Sequence, residues 1–425
     1  MLDLQYIRDH PEEVKRNVKI RGLTPKEVDI DYFLDVDKRY REMLQLVEEM
    51  RARRNELSDL IAREKSSELL KEAATLKEKL KQEEVELNSL ENECLEIWRN
   101  IPNMAAQNVP AGQDENENIV VRKWGEPTHF DFIARDHLEI GESLGLIDVE
   151  RAGKASGSRF SYLVGELVIL ELSLFRFAID WLVKEGFIPV IPPVMIKKEM
   201  EEGLGYGEHG GWEDMYVLEE DGLVLVGTSE HALIARHAGE VLPSGSLPCR
   251  YVGISTCFRR EAGSYGRDTR GLLRSHQFNK VEMISFVRPE ESAKEFKYLL
   301  SLEEDLMQAL KLPYQIVQMC TGDLGQPASE KYDIEAWLPG QDKYRETHSV
   351  SNCTDYQARR LNIKCRSGEQ KDFVHILNGT AFSERPLIAI LENYQQADGS
   401  VKIPEVLVKY TGFSEIGMLK VKSEK

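Results

Sequence analysis

None of the usual glycine-rich phosphate loops is present in this 425-residue chain: no G-x-x-x-x-G-K-[ST] occurs, and no G-x-G-x-x-G follows a strand-like run. Any nucleotide chemistry therefore needs another scaffold. Cysteine is sparse: the residues at 94, 249, 257, 320, 353 and 365 form no C-x-x-C pair and have no His cluster at ligand spacing. That pattern excludes a disulfide framework, leads us to expect no structural zinc, and fits reduced thiols in the cytoplasm. No run of eighteen apolar residues occurs, so no membrane span is expected, and the first twenty residues mix charges with apolar positions, unlike a secretory leader. Positive charge is in deficit as well, with 55 Lys and Arg against 73 Asp and Glu, a net charge of −18. As an average this disfavours nucleic acid, but phosphate contacts depend on where the cations sit.

Glycine and proline are both missing from residues 35–100, a stretch rich in Glu, Lys, Arg and Leu that can therefore stay helical throughout. Met43, Val47, Met50, Leu57 and Ile61 make one 4-3 apolar seam, interrupted at Arg54. Ala73, Leu76, Leu80, Leu87, Leu90, Cys94 and Ile97 make a second, interrupted at Glu83. The only plausible turn lies at residues 64–68. The pattern predicts two antiparallel helices of roughly 30 residues, an arm on the order of 45 Å long. Its cations, Arg51, Arg53, Arg54, Arg63, Lys65, Lys71, Lys77, Lys79 and Lys81, crowd the half nearest the tip, while Glu48, Glu49, Glu83, Glu84, Glu86, Glu91, Glu93 and Glu96 make the base acidic. Charge runs usually mean a solvated face, so a functional reading of the tip needs a partner.

A polar linker near residue 110 marks a domain boundary, and beyond it glycine, proline and short β-prone runs become frequent. Strand-like runs at 223–226, 251–255, 281–287 and 314–319 mix with helical periodicity at 166–184 and 293–310, without regular β-α alternation. This predicts an α+β fold on an antiparallel sheet. Three stretches carry chemistry. Phe258-Arg259-Arg260-Glu261, a Gly- and Arg-rich loop, and Gln277-Phe278-Asn279-Lys280-Val281-Glu282 read as two strands that put Arg259, Phe278 and Glu282 on one face. There an arginine can grip phosphate, a ring can stack on a base, and a carboxylate can hold an ammonium or hydroxyl group. The second stretch, residues 346–352, offers Glu346 and Ser349 as hard oxygen ligands for Mg²⁺. In the third, residues 377–394, Arg385 opens an apolar helix, a place that calls for a fixed anionic partner.

Together these stretches resemble the three motifs of class II aminoacyl-tRNA synthetases, with motif 1 at about 165–195, motif 2 at about 250–282 and motif 3 at about 377–394. Their wording, the Val226-Gly227-Thr228-Ser229-Glu230 segment and the preceding arm are similar to the seryl-tRNA synthetase family. The resemblance implies a class II catalytic domain over 109–425, an antiparallel sheet flanked by helices, behind an N-terminal tRNA-binding domain over 1–108. It also implies a homodimer whose tRNA-binding arm uses the nine cations named above. ATP would be held by Arg259, Arg260, Glu261, Ser275, Phe278, Glu346, Thr347, His348, Ser349 and Arg385, with Arg259 on the α-phosphate, Arg385 on the γ-phosphate, and Mg²⁺ at Glu346 and Ser349. Serine would sit among Thr228, Ser229, Glu230, Glu282 and Thr380. The implied reaction makes seryl-adenylate and pyrophosphate from L-serine and ATP, then transfers serine to the 3′ end of tRNA(Ser), with the selenocysteine tRNA a second candidate acceptor.

The chain departs from the family at His348, where serine is common, between 378 and 385, where it is one residue shorter than many relatives, and at the arm tip, which is somewhat short. Two other functions remain open: a ligase that hands an aminoacyl-adenylate to a carrier protein, and a non-catalytic coiled-coil platform. The arm is unexpected in the first, and the intact Arg259, Glu261, Glu282, Glu346 and Arg385 are unexpected in the second.

Overall fold

The glycine- and proline-free stretch folds as two helices, α1 (Ile30–Glu64) and α2 (Ser67–Asn100). At 1.5 Å per residue, the 35 residues of α1 span about 50 Å. Ser66 caps α2, its hydroxyl accepting from the Glu68 N–H at 3.2 Å. Val47, Met50 and Leu57 on α1 and Leu80, Leu87 and Leu90 on α2 are buried along the seam. The helices are antiparallel, because Arg53 pairs with Glu72 and Arg51 with Glu84, each at 2.8 Å. The computed structural model describes residues 1–64, 66–243, 245–262, 271–368 and 370–417. Lys65, in the expected turn, and 263–270, within the Gly- and Arg-rich loop, lie outside them. The chain divides into two units, Met1–Pro102 and Asn103–Lys425.

The second unit is built on an eight-stranded sheet. In chain order its strands are β1 (Ile119–Trp124), β2 (Ile188–Val190), β3 (Cys249–Phe258), β4 (Gln277–Val287), β5 (Tyr314–Gln318), β6 (Glu330–Leu338), β7 (Lys343–Asn352) and β8 (His375–Ser383). They lie in the order β1-β5-β6-β7-β8-β4-β3-β2, and every neighbouring pair is antiparallel except β2 with β3. The expected α+β class and antiparallel sheet are thus borne out.

Helices α3 (His137–Ser143), α4 (Glu166–Lys184), α5 (Ser229–Ala235), α6 (Ser292–Ala309) and α7 (Glu384–Asn393) complete the frame needed for the site. Of these, α4, α6 and α7 cover one face of the sheet: Leu170, Leu174, Phe177, Leu299, Leu306, Leu387 and Ile388 share a core with Val281, Met283, Val350 and Phe382. At about 25 cal/mol per Å² of apolar surface, this buried layer is what holds the sheet rigid. On the other face, polar side chains of β6, β7, β8, β4 and β3 line a cavity, beside a second apolar cluster in which Tyr251, Ile284, Phe286 and Ile376 pack against Val226 and Leu233.

Because the seam of the arm is narrow, truncating it should loosen the arm alone. Leu80→Ala is expected to cost about 2–4 kcal/mol locally. Hydrogen exchange should accelerate at amides of α1 and α2 and stay unchanged at those of β4 and β8.

Candidate active site

Strand alternation assembles the first half of the site. Phe278, Lys280 and Glu282 leave β4 on one face, while Val281 and Met283 enter the core from the other. Phe278 stands opposite Cys257 and Glu282 opposite Gly253 on β3. Arg259, just past the end of β3, places its guanidinium carbon 5.3 Å from the Phe278 ring centroid and donates from Nε to the Gly227 carbonyl at 3.2 Å. Gly253 is small for a reason: a Cβ there would come within 2.6 Å of the Ser229 hydroxyl.

Alternation alone would scatter the second half, because Glu346 and Ser349, like Thr380 and Ser383, are three residues apart and belong on opposite faces of a regular strand. A β-bulge in each strand changes this. In β7, Glu335 and Ile334 pair with Glu346 and His348, leaving Thr347 as the extra residue; in β8, Glu282 and Val281 pair with Thr380 and Phe382, leaving Ala381 extra. Each bulge reverses the parity of its strand, so all four residues line one cavity of about 560 Å³. Arg259, Glu261, Ser275, Phe278, Thr347, Arg385, Thr228, Glu230 and Glu282 line it too.

Several charges inside the cavity are paired. Arg385, the second residue of α7, lies 2.9 Å from Glu346 and also donates to the Glu346 carbonyl at 3.1 Å. Burial by itself would raise the Glu346 carboxyl, but Arg385 and Lys331 outweigh it and bring the group down to about 2. Lys280 approaches Glu282 to 2.6 Å, and Lys331 approaches Asp333 to 3.3 Å. In both of those carboxyls burial wins and the pKa rises. Glu261 has a left-handed backbone with φ 51° that turns the chain out of β3, and its carboxylate accepts from Arg274 at 2.9 Å.

On the opposite wall Thr228 caps α5, and Glu230 in the first turn is held by three donors on one oxygen: Tyr206 at 2.6 Å, Asn378 at 3.1 Å and Gln357 at 3.2 Å. A carboxylate so bound on Oε1 has Oε2 left for a ligand.

Three expected site residues stay out of the cavity. Arg260 turns away and lays its guanidinium over the Tyr216 ring at 5.8 Å, on the side opposite to Arg259 and Glu261 as alternation directs. Ser229 is fully buried behind β3. His348 falls on the core face after the Thr347 bulge; its Nδ1 bonds the Thr347 hydroxyl at 2.8 Å, its ring packs against Phe382, and burial depresses its pKa to about 3. Sequence reasoning missed Tyr206, Arg274, Lys280, Lys331, Asn378 and Glu384, all of which line the cavity. Lys280 and Asn378 lie inside the stretches already singled out and share a face with Glu282 and Thr380, a signal that was available. Lys331 lies on β6, in no such stretch. Burial lifts the Glu384 carboxyl to about 8, helped by the nearby Glu171.

On the arm, Arg51, Arg53, Arg54, Arg63, Lys71, Lys77, Lys79 and Lys81 are all exposed. Arg51 and Arg53 are engaged across the hairpin, by Glu84 and Glu72.

Known proteins share these features along the whole chain. Residues 1–105 match the seryl-tRNA synthetase N-terminal domain, and residues 216–394 match the class II tRNA synthetase core domain (G, H, P, S and T). The serine–tRNA ligase of Dictyoglomus turgidum is 44% identical over 422 residues, 98% of this chain and 99% of that one. That of Thermobifida fusca is 45% identical over 417 residues, covering 97% and 98%. Among solved structures, seryl-tRNA synthetase from Pyrococcus horikoshii complexed with ATP superposes with a TM-score of 0.91 at 42% identity, over 99% of this chain and 100% of that one. Cytoplasmic serine–tRNA ligase from Naegleria fowleri in complex with AMP gives 0.84 at 31%, over 96% of each. With identity at this level from end to end, the chain belongs to the seryl-tRNA synthetase family.

Proposed function

We propose that the cavity binds ATP and serine side by side and that residues 109–425 catalyse both steps of the ligation, while residues 1–108 hold tRNA(Ser). The observation that carries this reading is the convergence of Arg259, Glu282 and Arg385, far apart in sequence, on one cavity. Phe278 offers a ring face to adenine, and Glu261 a carboxylate to its amino group. Arg259 holds the α-phosphate and Arg385 the γ-phosphate of a bent nucleotide. The serine ammonium and hydroxyl groups fall to Glu230, Glu282, Thr228 and Thr380. Glu346, kept ionised, and the Ser349 hydroxyl form an all-oxygen donor set that fits Mg²⁺ arriving with ATP, where the ion would neutralise phosphate charge.

Attack of the serine carboxylate on the α-phosphorus requires no strong base, since a carboxylate is already a nucleophile. Alignment and charge neutralisation therefore carry the step. The new bond joins carboxylate oxygen to phosphorus, the bond to the β-phosphate oxygen breaks, and pyrophosphate leaves. A ribose hydroxyl of the tRNA end then attacks the activated carbonyl and AMP departs. Exposed apolar side chains on α4, Ile169 at 44% and Leu172 at 58%, and around β2, Ile188 at 53% and Ile191 at 83%, support a dimer. The selenocysteine tRNA remains a second candidate acceptor, distinguished by charging purified transcripts of each. No helix of the described residues is long and apolar enough to cross a membrane, and the reduced-thiol composition supports a cytoplasmic site.

Three outcomes test this. Arg259→Ala should lower serine-dependent ATP–pyrophosphate exchange by at least about a thousandfold while leaving a folded protein; unchanged exchange would remove the α-phosphate role. Replacing Arg54, Arg63, Lys77 and Lys81 together by Gln should raise KM for tRNA about tenfold and flatten its salt dependence, with exchange untouched. Equal losses in both assays would refute the division between arm and cavity. Leu172→Glu combined with Ile191→Glu should sediment as a monomer, and a persistent dimer would place the interface elsewhere.

A further inference from the structure

Outside the cavity, a buried histidine ties two of its walls together. His137 opens α3 and is 3% exposed. Its Nδ1 lies 3.0 Å from Glu392 Oε1, and its own backbone N–H donates to the same oxygen at 3.1 Å. The other Glu392 oxygen accepts from the Gly340 N–H at 3.0 Å. On the far edge of the ring, the Leu272 N–H donates to Nε2 at 3.1 Å. A backbone N–H can only donate, so Nε2 must carry the lone pair, and the proton sits on Nδ1, where it meets the Glu392 carboxylate. The two partners thus fix a single neutral tautomer. Gly271 crosses the ring so closely, at φ +78°, that a Cβ there would lie 2.2 Å from Nε2.

The two partners belong to different parts of the site. Glu392 is on α7, the helix that carries Arg385. Leu272 begins the return of the loop between β3 and β4, and Leu272, Leu273, Arg274 and Ser275 all line the cavity. That return segment has a second anchor where the Arg259 N–H donates to the His276 carbonyl at 3.0 Å. Between the anchors Arg274 holds Glu261 at 2.9 Å.

We propose that His137 is a positioning residue for ATP: it fastens the returning loop to the helix of Arg385, and so sets the separation between the adenine-facing residues and the γ-phosphate arginine. This rests on the reading of that loop as part of the ATP site. The serine wall does not depend on it, because Glu230 is fixed by Tyr206, Gln357 and Asn378.

Two substitutions separate the halves of the link. In His137→Asn the amide nitrogen can replace Nδ1 toward Glu392, but nothing reaches Leu272. In His137→Gln the amide oxygen reaches the place of Nε2 and can accept from Leu272, while the unchanged backbone N–H at that position still binds Glu392 and keeps the link to α7. In pyrophosphate exchange, His137→Asn should raise KM for ATP about tenfold, with KM for serine within about twofold and kcat little changed, while His137→Gln stays within about threefold of the parent. The proposal is overturned if the Asn variant keeps its KM for ATP, if both variants behave alike, or if KM for the two substrates rises together. Should His137→Asn fail to fold, replacing Leu272 by its α-hydroxy acid removes the N–H alone. The same tenfold rise is expected, and its absence is decisive against the proposal. Arg259→Ala separates the levels: lost exchange there with no effect at His137 retires this inference only, whereas intact exchange retires the ATP-site reading beneath it.

Discussion

The ion pair between Arg385 and Glu346 stands at the centre of the sheet, and the cavity depends on it and on others of its kind. A half-buried guanidinium at the start of an apolar helix is costly unless an anion faces it, and a half-buried carboxylate on β7 is costly unless a cation faces it. Each group makes the other tolerable. Lys280 with Glu282, Lys331 with Asp333 and Arg274 with Glu261 repeat the device around the walls. A binding site full of charge can then remain folded before any substrate arrives, with donors already aimed into the cavity. In the proposed site a polyanion would meet Arg385 already held by Glu346 and Arg259 already held by the Gly227 carbonyl, so that little reorganisation remains to be done at the moment of reaction.

How much of this was legible depends on which regularity a residue obeys. The arm followed from absence of glycine and proline plus two apolar seams, since nothing else satisfies both. Arg259, Phe278 and Glu282 followed from period-two alternation in β3 and β4, which are regular where they face the cavity. Glu346 with Ser349, and Thr380 with Ser383, violate that period. Only pairing against β6 and β4 reveals the extra residues Thr347 and Ala381, so the bulges were beyond the reach of a single sequence. The same displacement sends His348 into the core, where a motif-based count keeps it beside its neighbours. Lys331 and Asp333 were silent for another reason: they belong to a strand whose chemistry arises only from who stands next to it. His137 was silent likewise, because its two partners lie 135 and 255 residues away.

Net charge misled least where it was set aside. The acidic total of −18 is an average over a chain in which nine of the 55 Lys and Arg lie within residues 51–81, toward one end of the arm. Even there, composition overstates what is available, since Arg51 and Arg53 already have carboxylate partners across the hairpin. Exposed pairs of this sort are worth little to stability, so a strong polyanion can compete for them. The arginines and lysines with no carboxylate opposite in the hairpin need no such exchange, and they are the ones that set the local field first.

Selectivity for serine asks for more than attraction. Glu230 is oriented by three donors converging on a single oxygen, so its other oxygen has little freedom to follow a ligand that lacks a matching group. In the proposed serine site, a hydroxyl between Glu282 and Thr380 would satisfy buried polar atoms there, and alanine, lacking it, would leave them unpaired at a cost of about 1–3 kcal/mol per group. Threonine keeps the hydroxyl and adds a methyl group, so no hydrogen bond can reject it. Rejection must come from walls that do not yield, and that places the burden on the rigidity of the bulged strands and of the Tyr206, Gln357 and Asn378 scaffold behind Glu230. In the proposed site, specificity is therefore a mechanical property of the polar layer around the pocket as much as a chemical property of the groups that touch the substrate.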